Sequence, residues 1–105
     1  MRIWFNNKMK RRQSIDNLRK SIVALQDQLG WLDCWKEKMY SPSVLVRKRF
    51  HERVETRPWT FPKEIVRAVL EGNTWPLDSK RFELYKEIQK KEELLADLLE
   101  KELAS

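Results

Sequence analysis

Ile15, Leu18, Ile22, Leu25, Leu29 and Leu32 recur at alternating intervals of three and four residues. That spacing is the seam of a heptad repeat, and it commits residues from about 13 to 39 to a helix whose single apolar stripe needs another helix to cover it. Lys36 takes the next seam position and Met39 resumes the stripe. Ser14 suits the N-cap of such a helix, and Asp16 suits a first turn in which the dipole favours negative charge. Gly30 interrupts the helix at a cost of about 1 kcal/mol, and is a place where a second backbone or a Trp ring can approach. The stretch "YSPS" at 40–43 stops the element, with Pro42 placed to open the next one.

Turn material is scarce after that point, with two glycines and four prolines in 105 residues, so the remaining elements must be few. "SVLVRKRFHERVET" reads as a helix over about 43–56, with Val46, Phe50 and Val54 as its core stripe and Arg49, Arg53 and Arg57 as a second row. "RPWTFPKE" is a stiff aromatic connector in which two prolines enclose Trp59 and Phe61. A third helix, about 62–71, begins at Pro62 and turns Ile65, Val66, Val69 and Leu70 inward. Gly72 is placed to end it. After "NTWPLD", Asp78 suits the cap of a last helix over about 79–103, which carries Phe82, Leu84, Tyr85, Ile88, Leu95, Leu98, Leu99 and Leu103 on one broad side. The expected fold is all-α: two long helices (about 13–39 and 79–103) packed antiparallel, with two short helices (about 43–56 and 62–71) between them. Residues 1–12 form a basic leader on a single helical domain, 13–105.

The chemistry needed for most enzymes is missing. One His and one Cys cannot build a Cys/His zinc site within the chain. Neither glycine lies in a phosphate-binding loop, and the carboxylates fall on charged helix faces where paired surface is the ordinary explanation. His51 reads as a solvated helical side chain, and Cys34 as a half-buried small one. No cofactor, metal or small-molecule substrate is expected. A lone cysteine forms no internal disulfide, which suits a reducing compartment. The longest apolar run, "IVAL" at 22–25, is far short of the ~20 residues of a spanning helix, and the basic start leads into no secretory apolar core. The expectation is a soluble intracellular protein, cytoplasmic or nuclear, with no membrane partner.

Charge then narrows the possible partners. The net value is +6, but it is unevenly spread. Residues 1–14 hold five basic and no acidic side chains, and residues 41–67 hold seven against three. Residues 68–105 hold six against nine. Either an anionic partner is served, or the two ends of the chain attract each other.

Three stretches carry the binding expectations. "WFNN" followed by "KMKRR" resembles the DNA-reading helix of homeodomains, whose hallmark is Trp-Phe-any-Asn followed by basic residues. By that resemblance Trp4 and Phe5 face a core, Asn7 reads adenine, and Lys8, Lys10, Arg11 and Arg12 contact phosphate or groove. The match ends at Arg12, Met9 stands where the family has a basic residue, and two supporting helices would have to precede it. The expectation carried forward is therefore a basic leader. Joined to the heptads it also mimics a basic-region zipper, which makes a homodimer through the Ile15–Leu32 seam a second possibility beside packing within the chain. The Arg49–Arg53–Arg57 row, with Arg47 and Lys48, wants an anion: nucleic acid, an acidic protein surface, or the chain's own acidic last helix. In "RPWTFPK", Trp59 between Arg57 and Lys63 suits an unpaired base, a protein hot spot, or a plug between helices. The favoured function is a small, basic, non-enzymatic helical protein associated with nucleic acid or a nucleoprotein. The alternative is a helical adaptor or inhibitor that docks on a protein partner through exposed Trp and charged helix faces.

Overall fold

The computed structural model describes residues 2–104, with side chains from Asn7 onward. Four α-helices follow one another: α1 (Arg2–Met39), α2 (Val44–Thr56), α3 (Lys63–Glu71) and α4 (Trp75–Ala104), with a 3-10 turn at Pro58–Thr60 between α2 and α3. No strand occurs among the described residues. At 1.5 Å per residue α1 and α4 are rods of about 57 and 45 Å. They run antiparallel, since Arg11 meets Glu102, Asp33 meets Arg81, and Lys36 meets Asp78. The outcome is a narrow body of 65 × 22 × 18 Å. The short helices pack at the end where α1 stops and α4 starts.

The heptad seam finds its partner inside the chain. Ile15, Ile22, Leu25, Leu29 and Leu32 are all buried, and α4 supplies Leu77, Leu84 and Ile88 opposite them. The seam is thus packed by the chain's own last helix, the arrangement set beside the zipper in the sequence. Phe50 and Val54 of α2, with Ile65, Ala68 and Val69 of α3, complete the core. Leu77, Val54 and Ile65 are fully enclosed.

Several boundaries move from their sequence-based positions. α1 runs unbroken from Arg2, so Ser14 is interior to a helix and caps nothing, and the basic leader is the first third of that helix. Ser43 caps α2, its hydroxyl accepting from the Val46 N–H at 3.4 Å, and leaves Pro42 outside. Pro62 is the cap position of α3, one residue before the helix. α4 begins at Trp75 and not at Asp78, with the Thr74 carbonyl accepting from the Asp78 N–H at 2.9 Å and the Asn73 side-chain oxygen accepting from the Trp75 N–H at 3.0 Å. Gly72 does end α3, in the left-handed region at φ 64°, where a side chain would be strained.

Some core assignments change too. Val46 and Leu70 are exposed, as are Phe82, Tyr85 and Leu103. Leu84 takes the inward direction beside Phe82 and Tyr85, and Ala68 and Val69 take it in place of Leu70. No atom from another part of the fold stands within 4 Å of where a Gly30 side chain would begin, so neither a second backbone nor a Trp ring approaches there.

Lys36, which breaks the seam, does so for a partner on α4. Its Nζ lies 2.7 Å from Asp78 Oδ1, while Arg81 donates from Nε to Asp33 at 2.6 Å and also reaches Asp78. The Lys36 hydrogen bond holds the Asp78 carboxyl below its ordinary value of 3.8, against an opposing push from burial, with the charges of Lys36 and Arg81 helping. A depressed folded-state pKa means stability that is present above the unfolded value and lost as pH falls through the folded one. Denaturation of wild type and Asp78→Asn, measured from pH 6 to pH 2, should therefore show a gap that is constant down to about pH 4 and closes below it. A gap independent of pH would contradict this assignment.

Candidate anion-binding face

The predicted basic residues divide into two groups with different surroundings. In the N-terminal group, Arg11 donates to the Lys101 carbonyl at 3.2 Å and lies 3.7 Å from Glu102, and Arg12 lies 3.5 Å from the same carboxylate. The basic start of the chain thus folds beside its acidic end. Lys8 also has an interaction partner, and Lys10 is exposed. Of the expected phosphate contacts, Arg11 is thus engaged by α4, while Arg12 touches Glu102 from an exposed position. The Trp4–Phe5 pair lies outside the described side chains.

The second group is built by α2, the 3-10 turn and α3. Phe50 and Val54 anchor α2 to the core. At 100° per residue, positions 49 and 53 then follow one flank of the helix about 6 Å apart, and Arg57 follows as the non-helical C-cap, its N–H bonded to the Arg53 carbonyl. Arg47 donates to the Ser41 carbonyl. None of Lys48, Arg49, Arg53, Arg57, Lys63 and Arg67 forms an ion pair among the described residues. The acidic last helix does not neutralise this row, because its inward-reaching carboxylates serve α1. Self-pairing, one of three readings of the row, is removed.

Trp59 and Phe61 separate by role. Phe61 is the plug: its ring stands edge-on to Phe50 at 5.7 Å and to Trp35 at 5.5 Å. Trp59, one turn residue away, is 78% exposed. The plug expected of this aromatic stretch is therefore supplied by Phe61, and Trp59 takes no part in it. The turn carrying Trp59 is well determined, since Thr60 bonds back to the Arg57 carbonyl through its N–H at 3.1 Å and its hydroxyl at 2.8 Å. Trp59 follows the last arginine of the row by two residues, which limits their Cα separation to about 7 Å.

Sequence reasoning missed a second aromatic feature. Trp31 and Trp35 have ring centroids 5.9 Å apart, and with Leu32, Pro62 and Leu84 they wall a groove of about 310 Å³ between α1, α3 and α4, with Gln28, Glu64 and Lys80 at its margin. The i, i+4 spacing of the two Trp was the signal; the heptad seam beside it drew the attention. The remaining chemistry is spare. His51 contacts Glu55 on the surface of α2 at 3.2 Å, Cys34 is half-buried on α1, and no group of three metal-ligating side chains occurs among the described residues. No helix there is long and apolar enough to cross a membrane. Comparison with protein-family models, with curated proteins and with solved structures returns no significant match.

Proposed function

We propose that this is a non-enzymatic binding protein that attaches to nucleic acid through the basic face of α2, the 3-10 turn and α3. The observation that supports this best is the run of six cations between positions 48 and 67, Lys48, Arg49, Arg53, Arg57, Lys63 and Arg67, none of which forms an ion pair among the described residues. Such a cluster carries mutual repulsion, which a phosphate backbone relieves by releasing its own counterions. The test is oligonucleotide binding across a salt series: log affinity should fall linearly with log salt, with a slope of about −2 to −5 for three to six phosphate contacts. Absence of binding at low salt would overturn the reading. Lys10 extends the positive potential, whereas Arg11 and Arg12 contribute chiefly to joining α1 with α4.

A second reading, a helical adaptor or inhibitor docking on an acidic protein, is supported by the Trp31–Trp35 groove and the exposure of Trp31 and Trp75. Its signature is binding that varies weakly with salt and strongly with a Trp31→Ala substitution.

A further inference from the structure

Resting on the nucleic-acid reading, we propose that the bound strand is unpaired, and that Trp59 is a stacking platform for one of its bases. A base offers its flat face only when it is unpaired or flipped; a duplex presents phosphates and base edges. The indole of Trp59 is 78% exposed on a turn that backbone and side-chain bonds hold, with Pro58 inside it and Pro62 just beyond. Little freedom is lost when a rigid two-torsion side chain on such a turn meets a ligand. Phe61 already closes the hydrophobic gap, so the fold has no use for the second ring.

The surrounding charges favour a strand along one flank over a helix in a groove. A helix seated in the major groove inserts its outward line between two walls of phosphate. On α2 that line, opposite Phe50 and Val54, carries Leu45, Lys48 and Glu52, an apolar, a basic and an acidic side chain in turn and not a continuous basic edge. The arginines lie beside it, Arg49 and Arg53 on the flank of the helix and Arg57 at its C-cap, with Trp59 two residues further on. The interval of about 6 Å from Arg49 to Arg53 suits the phosphates of a stretched single strand, with the base following the last phosphate laid on the indole.

The experiment is fluorescence anisotropy at low salt with labelled dT20, U20 and a 20-base-pair duplex, on wild type, Trp59→Ala, Trp59→Phe and the triple variant Arg49→Ala/Arg53→Ala/Arg57→Ala. Circular dichroism confirms that each retains its helix content, as the exposure of these residues leads one to expect. Wild type should bind at least one of the single strands tenfold or more tighter than the duplex. Trp59→Ala should lose roughly five- to a hundredfold on that single strand, the worth of one stacked base, and little on the duplex. Trp59→Phe should retain most of the affinity, because a phenyl ring also stacks. Equal or tighter duplex binding overturns the inference, as does a Trp59→Ala affinity within twofold of wild type or a Trp59→Phe loss equal to that of alanine. If the triple arginine variant alone loses affinity, stacking fails while phosphate binding stands. If no oligonucleotide binds, both readings fail.

Discussion

Leu77→Ala is expected to destabilise the protein by about 3–5 kcal/mol, the range found when a fully enclosed leucine leaves a cavity that cannot collapse. Leu77 has no solvent exposure and sits in the first turn of α4, at the end of the molecule where all four helices contribute to one core. Its backbone is held by the Asn73 side chain on one side and the Asp78–Lys36 contact on the other. Such an anchored turn has little room to relax into the void. Against a total stability of about 5–15 kcal/mol for a domain of this kind, that loss is a large fraction. Urea denaturation followed by helix content should show the midpoint fall sharply with an unchanged slope. Leu103→Ala is the matched control. Leu103 is 89% exposed near the end of α4, and its loss should move stability by no more than about 0.5 kcal/mol. Similar effects for the two variants would mean that the short helices do not seal the core at Leu77.

The elements were legible because periodicity reports burial directly. The Ile15–Leu32 seam, the Phe50–Val54 pair and Ile65–Val69 fall on the inward side as their spacing requires. Terminal positions were less legible, because several residues can serve the same cap. Ser14 and Asp78 each have a suitable side chain, yet α1 passes through the first and α4 begins before the second. The choice is made by tertiary contacts that a linear pattern does not contain: Asp78 is taken by Lys36, and the helix in front of Ser14 is held at Arg11 and Arg12 by Glu102. The same limit explains Trp59 and Phe61. Both are aromatic, two apart, between prolines, and only the position of Trp35 on a distant helix decides which of them turns inward. The pairing of the chain's basic start with its acidic end was one of the two outcomes its charge pattern allowed. Lys48, Arg49 and Arg53 of α2 form no ion pair among the described residues.

Replacing Arg49, Arg53 and Arg57 together with alanine should separate binding from stability. Three lost phosphate contacts lower the salt slope of oligonucleotide binding by about 2 to 3, at 0.7–0.9 per contact. The row makes no ion pair among the described residues, so its removal leaves no orphaned carboxylate. It also relieves like-charge repulsion at the Arg49–Arg53 step, a few tenths of a kcal/mol, and alanine is the better helix former at those two positions. The variant should therefore bind more weakly while unfolding at the same or slightly higher urea concentration. Because the substitution removes three of the six net positive charges, a second triple variant, Lys86→Ala/Lys90→Ala/Lys91→Ala, sets the comparison. It removes equal charge from the outer side of α4. A slope change confined to the arginine variant places the anion on α2. Equal changes in both variants would mean that net charge, and not this face, attracts the strand. A destabilised arginine variant would show that the row has a structural partner after all.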